Sequence, residues 1–253
     1  MITDNDLRRA LKALKLNYLH GGLDDLVAEA TRGRWGPREV LENVVERELE
    51  EQRRRGVERR ARDARIGRFK PMAQFDWAWP NAIDRDQIER LLALDWIDRQ
   101  ENWILAAAQG LGKSMMAKNV AHLAVLAGHS VLFTTAAAML LDLRQQDSPR
   151  ALQSRLRRYT SPRHLVLAEV GYLSHDSASA DLLFDVVSRR YETAPILLTT
   201  NLAFADWPHH FPGAACVTAM IDRLTHHGEV VTIEGESYRL KEARERKQRR
   251  AKA

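Results

Sequence analysis

The stretch WILAAAQGLGKSMMAKNV, residues 103–120, decides the fold. A short apolar run gives way to a turn holding Gly110 and Gly112, then Lys113-Ser114, then a segment with helical character. Its core, AAQGLGKS at 107–114, matches G-x-x-x-x-G-K-[ST] everywhere except the first position, where Ala107 replaces glycine. In that pattern, backbone N–H groups from Gln109 to Met115 turn inward at a helix N-terminus and cradle phosphates. Lys113 supplies a point charge to the β and γ oxygens, and the Ser114 hydroxyl ligates Mg²⁺. Gly110, Leu111 and Gly112 form the body of the cradle. A left-handed Ala107 would carry strain of about 1–2 kcal/mol.

Working outward, four more apolar runs follow at intervals: SVLFTT, HLVLAEV, PILLTTN and EVVTIEG. Segments with helical periodicity, such as DLLFDVVSRRYE, lie between them. Strands alternating with helices predict a three-layer α/β domain with a mainly parallel sheet. Upstream, Leu7, Leu11, Leu14 and then Leu19, Leu23, Leu26 recur at helical spacing, with Gly21-Gly22 interrupting or bending the pattern. Pro37 suits the first turn of a further helix, whose Val40, Leu41, Val44, Val45 and Leu49 share one face. The connector RFKPMAQFDWAWPNAID carries Phe69, Phe75, Trp77 and Trp79, which are costly to leave exposed. Two readings stand for it: packing between domains, or a lid over a flat ligand such as adenine.

The chain has 253 residues, 45% of them hydrophobic, enough to bury a substantial core. Its single cysteine, Cys216, excludes an internal disulfide. No apolar run approaches the roughly 20 residues that span a bilayer, and the N-terminus lacks a secretory pattern, so a soluble, cytoplasmic protein without membrane contact is expected. Net charge is +5, but it is unevenly placed. Residues 52–70 carry +7 and residues 241–253 carry +5, which leaves −7 on the remainder. Two basic segments on an acidic body suggest a polyanionic partner; each alone could also be a solvated face or a loose tail.

Residues 100–242 resemble the IstB-like ATP-binding proteins of insertion sequences, relatives of the DnaC helicase loader and the DnaA initiator in the AAA+ group. Members read GPPGTGKT where this chain has AAQGLGKS, and LDELGYL where it has LAEVGYL at 167–173. ADLLFDVVSRRYE, TTNLAFADW, DRLTHH and GESYRLKE look like further family blocks, as do LKALKLNYLHGGLDDL and FKPMAQFDW near the N-terminus. The resemblance implies a small helical domain at 1–66 and a connector opening the AAA+ domain at 67–100. A P-loop AAA+ sandwich follows at 101–240, then a basic tail at 241–253. It also implies roles: Lys113 and Ser114 on phosphate and Mg²⁺, Glu169 orienting the attacking water, and Asn201 sensing water or γ-phosphate. Arg223 matches an arginine finger acting on a neighbouring subunit, and Arg239 a second phosphate sensor. Asn201 could instead cap a turn, and Arg223 could pair with Asp222 or another surface acid.

Ala168 stands where the family pattern has the Asp that holds Mg²⁺ through water. A rival register would make Glu169 that carboxylate, but the following GYL anchors the alignment. The implied activity is therefore an ATP-binding helper that oligomerises on duplex DNA and recruits a transposase, with hydrolysis impaired by Ala168. A helicase-loader-like adaptor and a non-hydrolysing DNA-binding scaffold remain as alternatives. The segment LLDLRQQDSPRALQSRLRRYTSPRH between two strands is crowded by Arg144, Arg150, Arg155, Arg157 and Arg158. Arginines there would neutralise DNA phosphates with weak sequence preference; the other reading is an amphipathic helix with a charged outer face.

Overall fold

The computed structural model describes residues 3–171, 176–211 and 215–251, so Tyr172 and Leu173 of the GYL block and the last two tail residues lie outside it. The chain divides into two compact units, Met1–Arg59 and Arg60–Ala253. That boundary falls inside a helix.

The first unit holds α1 (Asp4–Ala13), α2 (Asn17–Gly33) and the first part of α3 (Pro37–Ala64). The leucine pattern becomes its core: Leu11, Leu19 and Leu26 are buried, with Leu16, Leu23, Trp35 and Val44 against them. The break between the first two helices falls at Lys15, which is left-handed (φ 59°). Gly21 and Gly22 stay within α2, and Gly22 only kinks it (φ −121°, ψ 21°). Leu16 offers α2 no side-chain cap. Glu48 does so from α3: its carboxylate accepts the N–H groups of Asn17 (2.7 Å) and Tyr18 (2.9 Å) and is almost fully buried. Leu41, Val45 and Leu49 on the predicted apolar face are exposed.

The second unit is the α/β domain. After the end of α3 come the short helices α4 (Arg85–Ala93) and α5 (Asp95–Asp98), then β1 (Asn102–Ala107) and α6 (Lys113–Leu126). Next are β2 (Val131–Thr135), α7 (Ala136–Arg144), α8 (Pro149–Thr160), β3 (His164–Val170) and α9 (Ser177–Arg190). The chain continues through β4 (Ile196–Thr200), α10 (Trp207–His210), α11 (Val217–His226), β5 (Gly228–Ile233) and α12 (Tyr238–Ala251).

All five predicted strands form, in one sheet of order β2-β3-β4-β1-β5. Every pairing is parallel. Parallel neighbours need crossovers, and here helices supply them, which is why the strands read as short continuous apolar runs. Leu105 lies opposite Thr199 on one side and Val231 on the other, so β1 is an interior strand. Its C-terminal end, where the glycine-containing turn begins, is held by both neighbours.

Two polar side chains fasten the layers. Asn102 accepts the Ile196 N–H (2.9 Å) and donates to the Leu224 carbonyl (3.2 Å), joining β1 to β4 and α11. Arg190, buried at the end of α9, donates to the carbonyls of Tyr159 (3.0 Å), Pro162 (3.0 Å) and Pro195 (2.8 Å). Burial pushes its guanidinium down to about 9. Replacing Arg190 by Met keeps much of the volume but strips several carbonyls of their donor. Arg190→Met should lower unfolding stability by about 3 kcal/mol, read as a drop in the urea midpoint with little change in slope.

Candidate functional site

At the end of β1 the chain must reverse within five residues before α6 begins. The left-handed positions of that turn are Gly110 (φ 82°) and Gly112 (φ 91°), where only glycine sits without strain. Ala107 is a regular strand residue paired with Ile233, so the strain expected from a left-handed alanine does not arise. A Cβ on Gly110 would lie 2.1 Å from the Ser237 hydroxyl oxygen, and one on Gly112 2.6 Å from the Phe75 ring. Both glycines are therefore also required by close neighbours. Gly112 caps α6 without a side-chain hydrogen bond, leaving the first N–H groups of the helix free for a ligand.

Above this turn lies a cavity of about 440 Å³, formed entirely by the second unit. Gln109, Gly110, Leu111, Gly112, Lys113, Ser114 and Met115 line it, together with Glu169, Asn201 and Arg239. Ten residues expected at the nucleotide thus meet at one place. Lys113 Nζ donates to the carbonyls of Ala107 (2.5 Å) and Ala108 (2.8 Å). Burial pushes its ammonium down to about 8, Arg239 adds to the effect, and Glu169 opposes it.

Strand β3 reaches the cavity through an irregularity. Its register with β4 shifts between Leu167 and Val170, and Glu169 is left-handed (φ 62°). The Glu169 N–H donates to the Thr199 hydroxyl of β4 at 3.0 Å. This bulge turns Glu169 outward to the cavity, while Ala168 is buried opposite Thr135 and does not line it. The turn after β4 is closed by Thr200, whose hydroxyl accepts the Leu202 N–H (3.1 Å). Asn201 is exposed on the cavity wall rather than engaged as that cap.

The aromatic connector borders the same space. Phe75 and Trp79 line the cavity with Tyr238 of α12, while Trp77 packs edge-on to Phe75 (4.9 Å) and Phe69 against His122 (5.4 Å). Asp76, Tyr238, Thr199 and Thr200 are cavity residues that sequence reasoning did not name. The density of aromatics in the connector was the available signal for this wall. Nothing in the sequence singled out the threonines.

Arg223 is not brought to the cavity. It lies on α11, donates to the Ser188 hydroxyl and stacks over Phe184 (4.6 Å). No ion pair to Asp222 or another acid forms among the described residues. The arginines between β2 and β3 are only partly free. Arg144 pairs with Asp176 (3.0 Å), and Arg155 and Arg158 (3.7 Å) both meet Asp142. The Arg155 guanidinium holds the Asp142 carboxyl below its ordinary range. Arg150 and Arg157, both on α8, are exposed with no side-chain partner among the described residues.

A parallel α/β sheet with a phosphate-cradling turn after an interior strand, Lys113 and Ser114 opening the next helix, and an acid and a polar residue on adjacent strands define an AAA+ P-loop ATP-binding domain. The chain belongs to the IstB-like ATP-binding protein family, whose pattern matches residues 9–246. It is 36% identical over 240 residues to the insertion sequence IS21 ATP-binding protein of Pseudomonas aeruginosa, covering 95% of this chain and 91% of that one. The IS5376 ATP-binding protein of Geobacillus stearothermophilus is 36% identical over 206 residues, 81% of this chain and 82% of that one. Among solved structures, AMPPCP-bound DnaA from Aquifex aeolicus superposes with a TM-score of 0.54 at 17% identity, over 71% of this chain and 54% of that one. DnaI gives 0.54 at 16%, over 68% and 91%, and the DnaC helicase loader 0.51 at 13%, over 68% and 97%. These likenesses are of fold.

The lowered Lys113 sets a pH signature. Phosphates favour the ammonium, so the group is more basic with nucleotide bound than in the free protein. Below about 8 Lys113 is charged in both states and affinity is at its plateau. Above it the free protein loses the proton, and binding must take one up. ATP affinity measured by calorimetry should therefore fall progressively from pH 8 to 9.5, with uptake of up to about one proton per nucleotide. A flat profile would remove Lys113 from the phosphates.

Proposed function

We propose that this chain is the ATP-binding helper of a DNA transposase, assembling on duplex DNA when nucleotide is bound and recruiting the transposase to its target. The observation that carries the reading is the convergence of the 109–115 turn, Glu169, Asn201 and Arg239 on one cavity, in a chain whose relatives are ATP-binding proteins of insertion sequences. No helix among the described residues is long and apolar enough to cross a membrane. The fold likeness to DnaC and DnaI keeps a helicase-loader reading as the second one. Capture of the replicative helicase in place of the transposase by the tagged protein would favour it.

In this reading Lys113 exchanges its two loop carbonyls for phosphate oxygens, and the free amides of α6 bind the rest. Ser114 is the protein's ligand to Mg²⁺, which would offset negative charge on the phosphates. Glu169 accepts a proton from the water that attacks the γ-phosphorus as the bond to ADP breaks, and Asn201 orients that water. Arg223 serves the cavity of a neighbouring subunit. Arg150 and Arg157 make the principal contacts of α8 with DNA phosphates, because Arg155 and Arg158 are already engaged by Asp142.

Hydrolysis is slow in this reading, because β3 brings a single carboxylate to the cavity and Ala168 stands in the second position. Ala168→Asp should raise phosphate release at least about tenfold. Since Ala168 is only 2% exposed, an added carboxylate there is costly unless Mg²⁺ meets it. The variant should therefore melt earlier than the parent without ligand, and Mg-ATP should recover the difference. Equal turnover in parent and variant would show that position 168 does not limit the chemistry.

Arg223→Ala should leave nucleotide affinity within about twofold, since the side chain lies outside its own subunit's cavity, yet reduce ATP-dependent oligomers in sedimentation. Undiminished oligomers with ATP and DNA present would give Arg223 a local role with Ser188 and Phe184.

A further inference from the structure

The last helix begins inside the nucleotide cavity and ends as the most basic segment of the domain. Tyr238, Arg239 and Glu242 in the first turn of α12 line the cavity. That turn is fastened to the cavity wall at several points. The Tyr238 N–H donates to the Gly110 carbonyl (3.0 Å), and Trp79 Nε1 donates to the Glu236 carbonyl just before the helix (2.7 Å). Two ion pairs of opposite polarity join it to the connector: Lys241 to Asp76 (2.9 Å) and Glu242 to Lys70 (3.3 Å). The Lys241 ammonium also sits over the rings of Trp79 (4.4 Å) and Tyr238 (5.2 Å).

Beyond this anchored turn the character changes. Residues 243–253 read ARERKQRRAKA, with no apolar side chain larger than alanine and no aromatic. Arg246 and Lys247 are exposed and make no ion pair among the described residues. A protein partner normally needs a bulky anchor to bury, and a membrane surface needs apolar residues to insert. A single strand would be gripped by stacking on aromatics. This segment offers a strong net positive charge and no anchor, which suits the regularly spaced phosphates of a duplex.

We propose that α12 is a second duplex-DNA contact, on the phosphate backbone, whose strength is set by the nucleotide in the cavity. The inference rests on the nucleotide and DNA binding proposed above. The linkage follows from the charges at the first turn. Without nucleotide, Arg239 and Lys113 line one cavity as like charges, and their repulsion works against the contacts that seat α12 on the turn. Phosphates between them convert that repulsion into attraction and hold the base of the helix rigidly on the cavity. A helix fixed at its base presents Arg246 and Lys247 with less ordering cost, so DNA binds more tightly. By thermodynamic reciprocity, DNA tightens the nucleotide by the same factor. Lys241 and Asp76 carry the coupling, because they tie the cavity-lining turn to the connector wall.

The test is fluorescence anisotropy of a labelled mixed-sequence duplex on the full-length protein, with and without a non-hydrolysable ATP analogue and Mg²⁺. The wild type should bind the duplex about fivefold or more tighter with the analogue. R246E/K247E should lose about tenfold or more in duplex affinity and show a shallower salt dependence, while its analogue affinity without DNA stays unchanged. Lys241→Met keeps the apolar stem on the rings but removes the charge, and should bring the with-to-without ratio close to one. Wild-type duplex affinity in R246E/K247E would overturn the contact. An undiminished ratio in Lys241→Met, or a ratio of one in the wild type, would overturn the linkage. A wild-type protein that binds no duplex in either state would instead bring down the DNA-assembly reading itself, which separates the two failures.

Discussion

Two backbone positions, Gly110 and Gly112, must both be left-handed and both lack a Cβ, and the construction of the cavity depends on that pair of conditions. The left-handed dihedrals let the chain reverse between an interior strand and a helix, so that the first amides of α6 point into open space. The missing side chains let Ser237 and Phe75 come within contact of the turn from opposite ends of the domain sequence. One brings the base of α12, the other the aromatic connector. A single methyl group at either site would push away a wall of the cavity as well as strain the turn. Strand, turn, connector and last helix are thus held to one another through the smallest residue available.

Electrostatics then decides what the cavity favours. Lys113 and Arg239 line the same cavity with Glu169 as the counter-charge from the sheet, and the lysine is already lowered by burial. Such a site is better suited to an anion than to vacancy. Positive charge is treated differently elsewhere in the domain. Arg190 is buried among carbonyls, with no acid paired to it among the described residues, and acts as a brace between α8, β3 and β4. Arg155 and Arg158 are spent on Asp142. Counting arginines in a segment therefore overstates what a polyanion would meet on its surface, and pairing rather than number separates Arg150 and Arg157 from their neighbours.

The sheet was legible because strands covered on both faces leave short apolar runs that nothing else in the chain imitates. The turn was legible because Lys-Ser after a close glycine, between such a run and a helix, is chemically narrow. What remained hidden depends on contacts distant in sequence. No local pattern shows that Thr199 holds the Glu169 amide, since the two are 30 residues apart. Likewise Asp142 and Arg155 meet only because α7 and α8 pack together. Ala107 illustrates the opposite error: a missing motif glycine suggests strain, yet the left-handed positions lie three and five residues later. Gly21-Gly22 signals an interruption or a bend, and Gly22 does kink α2; the break between helices falls at Lys15, where the two neighbouring leucines, Leu14 and Leu16, gave no warning.

Glu48 reaches back about thirty residues to finish the beginning of α2, which Leu16 leaves unfinished. A growing chain emerging from the ribosome presents α2 well before Glu48 exists. Until the third helix is made, the second has a full apolar stripe but no acceptor for its leading amides, and a helix of that length alone is marginal in water. Synthesis order and structural dependence therefore run in opposite directions here. The N-terminal unit is committed only when its last helix arrives, and truncation anywhere before residue 48 should leave a segment that does not hold its own shape.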